Sequence, residues 1–297
     1  MAPWEQPVTP GSQQPAISGP DSRPDSAESS LSGHAIASGE GWTLHLGDCL
    51  AGLRTLADKS VDVTITDPPY SKGLYARTRT NKGSGLRPNG KPTSRGDNDS
   101  RSSKFQLASN RIGAIDDMLD VVAAELLRIT RRWIIVFSDD EITHRWRQQF
   151  GTAYVRTGVW VKTDPMPQIT GDRPAAGHES ATIAHARGRK RWNGGGRPAT
   201  WIYGTSKGSE RPDHPCPKPV ALMEHLVADF SDPNELVLDP FAGSGTTGVA
   251  CNQLGRRFLG WELDATYHEI ACRRLRGDEA KPRKEQPGLF DALKGSP

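Results

Sequence analysis

Asp67-Pro68-Pro69-Tyr70 offers the most specific chemistry in this 297-residue chain. Asp67 supplies an acceptor carboxylate. Pro68 carries a backbone carbonyl without an N–H of its own, and Tyr70 supplies a flat ring for stacking. Two acceptors beside an aromatic plate suit an exocyclic amine on a flat heterocycle, such as adenine N6 or cytosine N4. A strand ending in an ordinary Asp-Pro turn has the same local pattern, so the motif gains meaning only beside a second one. That second stretch is Asp239-Pro240-Phe241-Ala242-Gly243-Ser244-Gly245-Thr246-Thr247-Gly248. Gly243 and Gly245 let the backbone approach a ligand closely, and the helix that follows opens with free N–H groups. Its spacing satisfies G-x-G-x-x-G, which leaves a dinucleotide-dependent oxidoreductase open beside other nucleotide-binding functions. Glu262 ends the next strand, where an acid can hold both hydroxyls of a ribose.

These residues need strands and helices to place them. Val61 to Thr66 is apolar and β-branched and reads as a buried strand, which the two prolines then stop. Asp67 therefore stands at a strand end, where α/β proteins keep their ligands. Trp42 to Leu46 alternates as a strand, and Cys49 to Leu56 follows as a short helix. An amphipathic helix is expected over 112–130, a strand over 132–137, a helix over 141–150 and a strand over 157–161. Pro219 suits the first turn of a helix running to Phe230. Strand Leu236–Leu238, helix Thr246–Leu254, strand Arg257–Trp261 and helix Tyr267–Leu275 complete an α/β alternation. Between 162 and 205, Pro165, Pro167, Pro174, Gly194, Gly195, Gly196 and Pro198 argue against long regular elements.

Glycine (31) and proline (23) are abundant and the hydrophobic fraction is only 35%, so part of the chain is expected to lack a fold. Residues 1–40, with eighteen Ser, Pro or Gly, read as a disordered tail, and 277–297 as a charged one. The remainder, 41–276, reads as one domain. No apolar run is long enough to span a membrane, and no apolar signal core opens the chain. The four scattered cysteines read as reduced thiols of a cytoplasmic protein, with no metal site.

The net charge of +3 hides a strong segregation. Residues 71–111 hold ten bases against two acids, and 156–211 hold ten against four. Two basic segments around an α/β pattern are expected of loops that embrace a phosphate backbone. The 71–111 stretch is too long for an idle loop and reads as mobile and functional. Within 162–205, Arg187, Arg189, Lys190 and Arg191 beside Trp192 are the expected DNA contacts.

Asp-Pro-Phe-Ala-Gly-Ser-Gly-Thr-Thr at 239–247, with Gly260-Trp261-Glu262-Leu263-Asp264, closely resembles the S-adenosylmethionine site of DNA amino-methyltransferases. Asp67-Pro68-Pro69-Tyr70 resembles their catalytic motif. The catalytic motif precedes the cofactor motif, as in the permuted β group of that family, and the resemblance covers 42–276. It implies a circularly permuted, Rossmann-like mixed sheet with irregular basic insertions, cut between two neighbouring strands so that Leu46-Gly47-Asp48 follows Glu262 in space. It also implies that Asp239, Pro240, Phe241, Gly243, Ser244, Gly245, Thr246 and Thr247 line the cofactor pocket. Asp48 should face the adenine and Glu262 the ribose, while Lys218-Pro219 matches the Lys-Pro before the helix that closes the methionine end. The implied reaction is methyl transfer, without a metal, to adenine N6 of a base flipped out of double-stranded DNA and stacked on Tyr70. Asp in the first motif position resembles the adenine enzymes, where cytosine-N4 enzymes more often carry Ser; N4-methylcytosine is the alternative product. Relatives of this group often form homodimers. In the C-terminal tail, Gln286-Pro287-Gly288-Leu289-Phe290 resembles peptides that dock on the replication sliding clamp.

Overall fold

The computed structural model describes residues 35–72, 74, 114–167, 173–206 and 217–278. Most of the basic 71–111 stretch lies outside the described residues, as do 1–34 and the clamp-like Gln286–Phe290. The described residues open with an antiparallel hairpin, β1 (Ile36–Gly39) and β2 (Trp42–Leu46), and then α1 (Cys49–Thr55) and β3 (Val63–Thr66). A short 3-10 turn leads into α2 (Leu119–Ile129), followed by β4 (Trp133–Ser138) and α3 (Thr143–Phe150). Next come β5 (Tyr154–Lys162), β6 (His178–His185) and β7 (Thr200–Tyr203). The last elements are α4 (Val220–Phe230), β8 (Leu236–Asp239), α5 (Thr246–Gln253), β9 (Arg257–Glu262) and α6 (Ala265–Arg276).

The strands join one sheet in the order β1-β2-β9-β8-β3-β4-β6-β5-β7. From β2 to β4 all neighbours are parallel, β6 is antiparallel to both β4 and β5, and β5 and β7 are parallel. The mixed sheet and the permutation are thus as expected: β2 pairs with β9, the last strand among the described residues, from Trp42↔Phe258 to Leu46↔Glu262.

Residues 133–137 show why the strands are continuously apolar. Trp133, Ile135 and Phe137 pack on one face with α4, α5 and α6, and Ile134 and Val136 pack on the other with α1, α2 and α3. A sheet covered on both sides leaves no solvent-facing row, so alternation is lost.

Three expectations are corrected. Strand β1 lies inside the stretch read as a disordered tail. Gly41, at φ +77°, turns β1 back onto β2, and that pairing partner stabilises an otherwise polar segment. The 162–205 stretch carries β6, an eight-residue strand, and β7. Pairing with β4 and β5 along its length overrides the flanking Gly and Pro residues. The helix expected over 112–130 is broken at Met118, which separates the 3-10 turn from α2.

Candidate active site

Because β3, β4, β5, β7, β8 and β9 run the same way, their C-terminal ends form one edge of the sheet. Asp67 follows β3 there, Asp239 ends β8 and Glu262 ends β9. The two motifs are joined directly. Thr66 Oγ1 donates to Asp239 Oδ1 at 2.7 Å, the other Asp239 oxygen accepts from Thr247 Oγ1 at 2.6 Å, and the Phe241 amide donates to Oδ1 at 3.1 Å. Burial pushes the Asp239 carboxyl up to about 6 even against these three donors. Asp239 therefore braces β3, β8 and the start of α5.

The glycine turn is held from outside. Gly243 has φ +54° and Gly245 φ +78°. The Gly243 amide donates to Glu262 Oε2 and the Asp264 amide to Oε1, both at 2.7 Å. Glu262 is buried, and desolvation lifts its carboxyl to about 7 despite the two amides. Arg274 of α6 donates to the Ser244 carbonyl at 2.6 Å and reaches the hydroxyls of Ser244 and Thr246 at 3.1 Å. Pro240 follows Asp239 in the same turn. Asp48 lies beside it: the Gly47 amide donates to the Glu262 carbonyl at 2.9 Å, and Asp48 caps α1 by accepting from the Ala51 amide at 2.9 Å.

Around Asp67 the charges are concentrated. Lys218 Nζ donates to Asp67 Oδ2, pairs with Glu179 Oε2 at 3.0 Å and lies 3.1 Å from the Tyr70 hydroxyl. Tyr70 in turn donates to Glu179 Oε2 at 2.6 Å, and Lys162 pairs with Glu179 Oε1 at 2.7 Å. Two cations and two carboxylates thus interlock. Lys218 is only 8% exposed, a buried ion-pair partner rather than a solvated helix-end lysine, and the rings of Tyr70, Phe137 and Trp160 lie within 5.9 Å of its ammonium. Its pKa is held above the usual lysine value: burial pulls it down, but the two carboxylates outweigh that. Glu179 is drawn up by burial, but Lys218 and Lys162 dominate and keep it at about 2. Asp67 is raised, by burial first and then by Glu179 facing it.

One atom in this network is left over. The Asp67 side chain is 27% exposed, yet its Oδ1 is shut off from solvent and has no hydrogen-bond partner. A buried, unpartnered carboxylate oxygen is costly and uncommon in a native fold, so Oδ1 calls for a reason such as strain, a bound water or a catalytic role. Pro68 and Pro69 continue from Asp67 and cannot donate to it through their nitrogens.

The structure does not bring Arg187, Arg189, Lys190 and Arg191 to this edge. They follow the far end of β6, which at ~3.3 Å per residue lies roughly 20 Å from Glu179. Arg191 pairs there with Asp232 at 2.5 Å, and Trp133 donates to its carbonyl at the start of β4. The basic 71–111 stretch, by contrast, begins beside Asp67, and its first described residues are clasped there. Lys72 donates its amide to Asp116 at 2.9 Å and its ammonium to Asp117 at 2.7 Å, and the Ser71 amide donates to Asp139 at 2.8 Å.

Glu179 and Arg274 escape a reading of the sequence. The signal for Glu179 is an eleven-position window, 177–187, that is free of proline and holds Thr and Ile, the composition of a strand. Arg274 carries no comparable signal, since a basic residue in the last turn of a helix is ordinary.

Fold and site together define a doubly wound α/β protein with a glycine turn and an acceptor carboxylate on adjacent strands. A family model described as DNA methylase, covering the N6 and N4 methyltransferases, matches residues 61–273, and the chain belongs to that family. It is 29% identical over 271 residues to the type II methyltransferase M.HinfI of Haemophilus influenzae, covering 81% of this chain and 69% of that one. Among solved structures, the M1.HpyAVI–SAM complex superposes with TM-score 0.55 at 24% identity, covering 79% of this chain and 98% of that one. The cytosine-N4-specific PvuII DNA methyltransferase also gives 0.55, at 14% identity, over 79% and 86%. Among the described residues no cluster could hold a metal ion, and no helix is long and apolar enough to cross a membrane.

Proposed function

We propose that the chain moves the methyl group of S-adenosylmethionine to adenine N6 of a base flipped out of double-stranded DNA. The observation that carries this reading is the buried, unpartnered Oδ1 of Asp67 at the end of β3. S-adenosylmethionine, when bound, supplies a methyl on cationic sulfur, whose S–C bond breaks as the N–C bond forms, the electron pair staying on sulfur. Asp67 Oδ1 and the Pro68 carbonyl accept the two N–H groups of the amine and so favour a pyramidal nitrogen with a free lone pair. Asp67 then takes the surplus proton that the methylated nitrogen sheds. Tyr70, fixed by its hydroxyl, offers its ring to the base, and most of the acceleration is positioning.

The residues present fit the cofactor. The glycine turn allows close backbone approach, and Glu262 keeps acceptor capacity beyond the two amides it already holds, because a carboxylate has about four lone-pair sites. Asp in the first motif position favours adenine. The test is long-read sequencing of DNA from cells expressing the chain. N6-methyladenine in one sequence context is expected; N4-methylcytosine as the product would correct the base, and unmethylated DNA would overturn the reading.

Glu262 adds a second prediction. Its carboxyl sits at about 7 in the free protein, and ribose hydroxyls donating to it would favour the charged form. Cofactor binding near neutral pH should therefore expel a proton, and affinity should fall as pH drops below about 7. Calorimetry in buffers of different ionisation enthalpy reads the proton directly. Proton release in the wild type and none in Glu262→Gln is expected; pH-independent affinity in the wild type would remove Glu262 from the ribose site.

A further inference from the structure

We propose that Glu179 is a positioning residue for methyl transfer, tethering the Tyr70 hydroxyl and sharing Lys218 with Asp67 so that Asp67 Oδ1 stays uncommitted. The inference rests on the functional reading above and deepens it. Glu179 is placed for the task by the sheet: it pairs with Trp160 in β5, one position beyond the Ser138↔Ser180 pair that ends β4. A side chain on a paired strand holds its direction better than one on a loop.

The donor inventory shows what Glu179 prevents. An ammonium has three N–H groups. In this site Lys218 directs itself at Asp67 Oδ2, Glu179 Oε2 and the Tyr70 oxygen. Without the Glu179 charge, Lys218 has only Asp67 to neutralise and is free to fork across both carboxylate oxygens, covering the one the amine needs. Tyr70 would lose its charged acceptor at the same time. Neither effect disturbs the glycine turn, which Glu262 and Arg274 hold independently.

The charges facing Asp67 also give the pH profile a sign. Lys218 precedes α4, Glu179 comes from β6, Lys162 from β5, Tyr70 from the motif itself and Asp239 from β8. After β4, Asp139 accepts the Ser71 amide, Glu141 the Ser71 hydroxyl, and Asp140 faces His178. Removing the Glu179 charge takes a like charge away from Asp67, which then ionises at lower pH. Removing the Lys218 charge leaves two carboxylates facing one another with Lys162 alone, and Asp67 keeps its proton to higher pH. The acid limb of kcat against pH, a property of the coupled pair, reports both shifts.

The experiment compares Glu179→Gln, Lys218→Met and Tyr70→Phe in the full chain, with Tm recorded as the folding control and cofactor affinity measured for each. Glu179→Gln is expected to lower plateau kcat on the order of 10- to 100-fold, as misplacement of reacting groups does, and to leave cofactor affinity unchanged. Its acid limb should move to lower pH, and that of Lys218→Met to higher pH. Tyr70→Phe, which keeps the ring but cuts the tether, should lower kcat and move the limb slightly to higher pH, because the Tyr70 hydroxyl also bonds Asp67 and favours its charged form. Wild-type kcat in both Glu179→Gln and Tyr70→Phe would overturn the inference, as would limb shifts of the same sign in the Glu179 and Lys218 variants. Should Glu179→Gln fail to fold, the Tyr70→Phe kcat and the Lys218→Met limb decide. A wild-type chain that methylates no DNA amine would instead sink the underlying reading, so the two failures are distinguishable.

Discussion

Asp67→Ala is expected to lower turnover by at least ~10²-fold, by analogy with deleting one preorganised oxyanion-hole donor, while the variant still folds and binds the cofactor. The structure supports each half of that outcome. Lys218 is not orphaned by the change, because Glu179 remains 3.0 Å away and the Tyr70 oxygen 3.1 Å away. The glycine turn is held by Glu262 and Arg274, neither of which touches Asp67, so cofactor affinity should be preserved. What disappears is the free Oδ1. Asp67→Asn sharpens the test. Its carbonyl oxygen would turn to the Lys218 ammonium, so its NH2 would face the N–H groups of the incoming amine, donor against donor. Asn should therefore be about as damaging as Ala, although it preserves shape. Single-turnover methyl transfer at saturating cofactor reads the chemical step directly. Near-normal rates in either variant would take Asp67 out of the chemistry.

The second large effect is expected at Gly243, where valine should reduce cofactor affinity on the order of 10²-fold or more. Gly243 sits at φ +54°, in the left-handed region that a β-branched residue enters only as an outlier. Holding valine there costs about 1–3 kcal/mol. Relaxing to negative φ instead swings the Gly243 amide away from Glu262, losing a charge-assisted hydrogen bond worth roughly 1.5–3 kcal/mol. Either route deforms the turn that must approach the ligand, and 1.4 kcal/mol is about a factor of ten in binding. Brace Asp239 lies upstream and keeps its bonds to Thr66 and Thr247, so the variant should fold. Calorimetric titration checks it, with Asp67→Ala as the control that still binds. Unchanged affinity in folded Gly243→Val would mean that this turn is not the cofactor cradle.

The local sequence was most legible where backbone chemistry is most restrictive. Pro68 and Pro69 end a strand wherever they occur, and a left-handed turn before a helix calls for glycine at 243 and 245. The strand and helix run from β8 through α6 was readable for the same reason, its apolar periods and its glycines agreeing. The Asp264 cap that starts α6 at Ala265 emerged only from the structure, where it accepts the Thr266 and Tyr267 amides. The permutation was legible too, because motif order is a property of the sequence itself.

Other features depended on partners distant in the chain. Strand β1 exists because β2 is there to pair with it, and β6 persists between glycine- and proline-rich flanks because β4 and β5 satisfy its backbone on both sides. Arg187, Arg189, Lys190 and Arg191 form an obvious basic cluster, but the direction of β6 carries them to the far edge of the sheet. A run of charge contains no information about which end of a strand it will follow. Sequence alone determined which residue types were available for an amine acceptor, a stacking ring and a glycine cradle. Only the tertiary structure decided that Glu179 and Lys218, 39 positions apart, would meet over Asp67 and leave one of its oxygens free. Buried charges must find partners wherever the fold delivers them, and that delivery is set by strand order and direction rather than by local composition.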